Sequence, residues 1–177
     1  MTGDKAYPDE PAGPFPEPPT RMEDREGRSI TVRRYDERQD RNALEAMYEA
    51  FDPADRAQGI PPTGEKCIAE WLDTITGEGT VNVVANHGDD VVGHATLVPE
   101  SESTYELAIF VLQVYQGAGI GTHLLETLLG AGREAGVERV WLSVERWNGS
   151  AIALYEKVGF VPSDTESFEH EMTIRLT

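Results

Sequence analysis

Gln116-Gly117-Ala118-Gly119-Ile120-Gly121-Thr122, running on into Leu124-Leu125 and Leu128-Leu129, is the stretch on which the reading of this sequence turns. An alternating apolar run, Tyr105 to Val111, comes before it and reads as a strand, and the leucine spacing after it predicts a helix to about Ala135. Three glycines at alternate positions let the backbone approach a ligand closely. The unpaired N–H groups of the helix's first turn then point outward with the positive end of its dipole. That arrangement is an anion site suited to a pyrophosphate; the competing reading is a tight turn that uses glycine for its dihedral freedom. Spelling excludes two nucleotide loops. The dinucleotide fingerprint needs a glycine where Thr122 stands, and no Gly-Lys-Ser/Thr exists for a P-loop.

Working outward, Ser29 to Tyr35 alternates as a first strand, and Leu44, Met47, Tyr48 and Phe51 share one face of a helix beginning near Asp40. Asp52 to Thr63 reads as a loop, followed by a second helix carrying Ile68, Trp71, Leu72 and Ile75. Thr80 to Asn86 and Val91 to Val98 form a predicted hairpin beside Tyr105 to Val111. After the glycine loop and its helix come a strand at Val140 to Val144, a helix at Ser150 to Val158 and a final strand through Met172, Ile174 and Leu176. The order predicts an α/β fold, a mixed sheet covered by helices. Six of the eleven prolines fall between Pro8 and Pro19, so residues 1–28 read as a solvated, acidic, proline-rich tail and 29–177 as a single domain.

Composition narrows the function. With 32 Asp+Glu against 15 Lys+Arg, the formal charge of −17 repels phosphate backbones and argues against nucleic acid. Lysine stands only at 5, 66 and 157, and an acidic, lysine-poor surface of this kind suits a high-salt cytoplasm. The longest apolar run, Leu107 to Leu112, is too short to cross a bilayer, and Met1 to Asp9 lacks the order of a secretion signal, so a cytoplasmic protein is expected. The single cysteine, Cys67, cannot form an intrachain disulfide, and the four histidines show no metal-ligand spacing.

A second constellation follows the glycines: Asn148-Gly-Ser-Ala151-Ile-Ala-Leu-Tyr155-Glu-Lys-Val-Gly159-Phe160. Asn148 sits where a cap is expected, and Gly159 ends the helix. Taken with the Gln116 to Gly121 loop, in this order and with a strand between, it resembles the GNAT superfamily of acetyl-CoA-dependent N-acetyltransferases from about residue 29 to 176. The resemblance implies a mostly antiparallel sheet of about six to seven strands. It also implies that Gln116, Gly117, Ala118, Gly119, Ile120, Gly121 and Thr122 hold the pyrophosphate of coenzyme A. Val111 and Leu112 would bond the pantetheine, Asn148 would contact the cofactor arm, and Tyr155 would protonate the departing thiolate.

An attacking amine must be neutral, yet its ordinary pKa lies near about 10.4, so a base must take a proton. Glu106, on the strand entering the loop, is the first choice because the resemblance implies an acidic residue near there, against the reading of a solvated strand glutamate; Tyr105 aligns almost as well, and His94 is a second candidate or a structural histidine. His123 would only flank phosphate. The expected partner is an amine-bearing substrate, a protein lysine or a small molecule, with Asp52, Asp55 and Glu65 favouring a cation; a second copy of the chain stays open as a partner. The alternative function is an acyl-CoA-binding regulatory module without turnover.

Overall fold

The computed structural model describes residues 5–56, 60–163 and 169–177. Its eight described strands are β1 (Thr20–Glu23), β2 (Ser29–Arg34), β3 (Val81–His87), β4 (Asp90–Pro99), β5 (Thr104–Val111), β6 (Arg139–Val144), β7 (Val161–Pro162) and β8 (His170–Arg175). They lie side by side in the order β1-β2-β3-β4-β5-β6-β8-β7. Every neighbouring pair is antiparallel except β5 and β6. The two-residue β7 and the four-residue β1 raise the count above the six or seven expected.

Helices cover both faces. α1 (Glu37–Glu49) and α2 (Glu65–Ile75) bury Leu44, Met47, Tyr48, Ile68, Leu72 and Ile75 on one side of the sheet, against Val84 and Val91. On the other side α3 (Ile120–Glu134) sinks Leu124, Leu125, Leu128 and Leu129 into the main core, and α4 (Gly149–Val158) adds Tyr155. Each fully buried side chain of this size contributes about 1.5–3 kcal/mol, so the leucine stripe of α3 fixes that helix against the sheet. The crossover through α3 is what allows β5 and β6 to run parallel.

One expectation is corrected. Described residues 5–28 are not a solvated tail. β1 pairs with β2 from Thr20↔Val32 to Glu23↔Ser29, and Ala12, Phe15 and Met22 pack against the main core. Ala12 N–H donates to Arg175 O (2.8 Å), Thr173 Oγ1 donates to Ala6 O (2.7 Å), and Thr20 Oγ1 bonds His123 Nε2 (2.7 Å) and Thr127 Oγ1 (2.9 Å). The described residues 5–24 thus strap across β8 and along α3 to the edge of the sheet. Prolines suit such a path, because a strap that is not a ladder strand needs few backbone donors. With one apolar residue in four, β1 carries no periodicity of its own; it forms because β2 offers an open edge.

Candidate active site

The β5–β6 ladder ends early. Thr104↔Arg139, Tyr105↔Val140 and Glu106↔Trp141 pair, after which β5 runs on to Val111 and β6 to Val144 without pairing, so the strands part. Leu112 N–H donates to Val92 O (3.0 Å), and the antiparallel alternation from that bond turns the main-chain groups of Ile109 and Val111 away from β4 into the gap. Leu112, expected to bond a pantetheine, has its N–H on Val92 O and its carbonyl accepting from Tyr115 N–H (2.9 Å). Ile109, like Val111, turns its main-chain groups into the gap. The period of two along β5 was the signal for it, and it needed the register to be usable.

Past a single helical turn at Gln113–Tyr115, the chain turns through two left-handed glycines, Gly117 (φ 72°) and Gly119 (φ 94°), into α3. Among the described residues no protein acceptor takes the main-chain N–H of residues 117 to 122. A Cβ at Gly117 would meet nothing within 4 Å, and one at Gly119 only the end of Met22 at 3.8 Å. The loop is an open cradle of donors at the positive end of a helix, which fits a diphosphate. Gly121 differs from its neighbours: its φ is not positive, and a Cβ there would touch Leu154 at an ordinary 3.6 Å. Gln116 also differs. Its N–H donates to Gln113 O (3.1 Å), and its Nε2 donates to Val111 O (2.9 Å) and Asp55 Oδ2 (3.2 Å), so it braces the loop against β5 and the α1–α2 connection.

The loop's carbonyl side is held by the segment read from sequence as tail. Arg25 N–H donates to Ala118 O (3.0 Å) and Arg25 Nη1 to Gly117 O (3.3 Å); Arg28 Nη1 donates to Val114 O (3.2 Å) while its guanidinium lies 4.2 Å over the Tyr115 ring. Asp24 ties this turn together by accepting from the N–H groups of Glu26 and Arg28 and from Arg28 Nε. Burial pushes its carboxyl up, but these donors outweigh burial and hold it below the usual range.

On the opposite wall Asn148 caps α4, its Oδ1 accepting from Ala151 N–H (3.3 Å), while its side-chain NH₂ meets no acceptor among the described residues. Tyr155 is buried in the main core cluster, its ring 5.8 Å from that of Phe160. Burial raises its hydroxyl to about 12, so it carries a proton at neutral pH. No described side chain hydrogen-bonds that hydroxyl, which leaves it able to serve a ligand.

The model of the acetyltransferase (GNAT) family matches residues 44–160, about two thirds of the chain. The chain belongs to the GNAT acetyltransferase family. Its members use acetyl-CoA, and the parted strands, free loop amides and glycine cradle fit that group. A curated relative, [Ribosomal protein bS18]-alanine N-acetyltransferase of Haemophilus influenzae, is 36% identical over 84 residues, 48% of this chain and 57% of that protein. The chain spans little more than half the length of that relative. Among solved structures, the GNAT domain of S. lividans PAT superposes with a TM-score of 0.78 at 19% identity, over 89% of this chain and 97% of that one. The Salmonella typhimurium protein yncA, solved with its cofactor acetyl-CoA, gives 0.66 at 21% identity over 84% and 94%. The resemblance drawn from the two motifs is thus borne out in family and in fold.

Candidate bases in this GNAT chain part company. Glu106 lies five residues before Val111, about 16 Å along the strand, on the face that also carries Phe110. Desolvation, then Glu100, push its carboxyl above the usual range, with Lys5 pulling down and Glu169 adding to the rise. His94 is fully buried, its Nδ1 2.6 Å from the Tyr48 hydroxyl and its Nε2 2.7 Å from Asn82 Oδ1. Since that amide oxygen can only accept, Nε2 carries the proton and Nδ1 accepts from Tyr48. Burial depresses His94 to about 3, so it stays neutral, locked between α1 and β3. His123, expected beside phosphate, bonds Thr20 of β1 through Nε2 (2.7 Å), and His87 bonds the Tyr115 hydroxyl (2.8 Å).

The connection after α1 borders a cavity of about 290 Å³ lined by Tyr48, Phe51, Pro53, Arg56, Pro61 and Ile68, among others. Residues 57–59 of the expected acceptor loop lie outside the described residues. Asp52 caps the local turn through Ala54 N–H (2.8 Å), and Asp55 Oδ2 accepts from Gln116 Nε2 (3.2 Å).

Proposed function

We propose that this protein transfers an acetyl group from acetyl-CoA to a primary amine, on a protein lysine or a small molecule, by direct attack of the amine. The observation that carries the reading is the row of unpaired amides from residue 117 to 122, standing beside the gap between β5 and β6 with the Tyr155 hydroxyl unbonded in the adjoining core. Acetyl-CoA supplies an acyl group activated as a thioester. The loop amides hold its diphosphate, while Ile109 and Val111 take its arm as an added strand would be taken. Val111 N–H, aimed into the gap, polarises the acyl oxygen as negative charge grows there. Glu106, five residues from Val111 along the strand, reaches the proton that the amine must lose through a relay of several waters, and a carboxyl held above the usual range suits that task. As the carbon–sulfur bond breaks and the carbon–nitrogen bond forms, Tyr155 gives its proton to the sulfur, and solvent restores it.

The second reading is an acyl-CoA-binding module without turnover, and Tyr155 weighs against it, since a binder has no need of an acid for a departing thiolate. The test follows thiol release from acetyl-CoA with lysine peptides, peptides with amino-terminal alanine, and small amines. Turnover with any acceptor supports the enzyme; tight coenzyme binding with no release above hydrolysis favours the module. Glu106→Gln serves as the internal check on the base. The ascending limb of its pH–rate profile should be lost, and a limb matching wild type would remove Glu106 from the role.

A further inference from the structure

We propose that Arg25, in the turn between β1 and β2, supplies the positive charge that binds the coenzyme's diphosphate, an inference that rests on the acetyl-CoA reading above. Residues 113–122 contain no lysine or arginine, and burial, partly opposed by Glu126, holds His123 below the usual imidazole range. A diphosphate arriving at a chain of formal charge −17 needs a local cation that the loop does not carry.

Two cations among the described residues hydrogen-bond this segment, and they are not equivalent. Arg28 is neutralised: Nε pairs with Asp24 (2.7 Å), Nη1 holds Val114 O and the guanidinium stacks on Tyr115, while its Nη2 is buried without a hydrogen-bond partner. Asp24 cancels its charge. Arg25 has no carboxylate within ion-pair distance among the described residues and is exposed. It is fastened at two points, N–H to Ala118 O and Nη1 to Gly117 O, to residues whose own amides are unpaired. The turn beneath it is fixed by the buried Asp24 carboxylate and by Gly27 N–H on Asp24 O (3.0 Å). One Nη1 bond leaves Nε and Nη2 as free donors, a fork whose geometry matches phosphate oxygens.

The experiment measures binding of coenzyme A and of 3′-dephospho-coenzyme A to the full chain by calorimetry, for wild type, Arg25→Gln and Arg25→Lys, at about 0.05 M and about 1 M salt. Arg25→Gln should weaken binding about ten-fold or more at low salt, as for loss of a charge-assisted hydrogen bond. That ratio should shrink toward one at 1 M, where the screening length falls to about 3 Å. Arg25→Lys should recover part of the loss by restoring charge without the fork. The same ratio should hold for the dephospho compound; a ratio of one there would assign Arg25 to the 3′-phosphate and overturn the diphosphate role. A loss of affinity independent of salt, with a lowered Tm of the free protein, would make Arg25 a structural brace and overturn the proposal. Wild type failing to bind either compound would instead sink the acetyl-CoA reading, and this assignment with it.

Discussion

Tyr155 and His94 both lose water on folding, and the loss serves each differently. In Tyr155 burial keeps the proton on, at about 12, which is what an acid facing a thiolate requires. Tyr155→Phe should lower kcat by about 10² to 10³ with coenzyme affinity nearly intact, since the ring packing is kept and only the proton is lost; steady-state kinetics beside calorimetry check this. In His94 burial keeps the proton off the second nitrogen, and the consequence is for stability. Its folded value, about 3, lies below its unfolded value of about 6.5, so its contribution is fully present above about pH 6.5 and drains away as pH falls toward 3. Chemical denaturation from pH 7 to 4 should show wild type losing up to about 1.4 kcal/mol per unit more than His94→Gln, which lacks the titration. Equal slopes would remove His94 as the cause. The sequence offered His94 as a second base candidate, and only the fold shows both its nitrogens buried and bonded.

At the scale of elements, the telling residue is Gly130, in the middle of α3. A Cβ there would come 1.8 Å from Pro16 O, because the amino-terminal strap crosses the helix at that point. Glycine in a helix interior ordinarily costs about 1 kcal/mol relative to alanine, so with a solvated tail Gly130→Ala would raise the Tm. With the strap seated, the methyl must push backbone aside, and the expected outcome is a loss of about 1–3 kcal/mol, or roughly 2–12 °C in Tm. The sign of the shift in a thermal melt decides between the two. The same element scale explains why the loop was legible and its support was not. Glycine spacing and the leucine stripe are local, so α3 and its loop could be read directly; Arg25 and Ala118 are far apart in sequence, and no local pattern announces their hydrogen bond.

Across the whole molecule, its acidic charge sets the conditions under which the chain stays compact. A net −17 spread over 177 residues opposes compaction, and the Debye length grows from about 3 Å at 1 M salt to about 30 Å at 0.01 M. If the acidic surface is an adaptation to a saline cytoplasm, dilution from high to low salt should lower the Tm markedly and unfold part of the population; circular dichroism indifferent to salt would end that reading. Among the described residues no helix is long and apolar enough to cross a membrane. What the sequence by itself determined is what depends on neighbours along the chain: the periods of β3 to β5, the leucine face of α3, the glycines that free a run of amides, and the two motifs that mark the family. What only the tertiary structure decided is what depends on pairing across space: the parting of β5 and β6 after Glu106, the turning of the Ile109 and Val111 main-chain groups into the gap, the neutral locked His94, and the proline-rich segment that became a strap and a strand. The physical reason is that a hydrogen bond or a buried contact stabilises two segments at once, whereas a sequence pattern reports the preference of one.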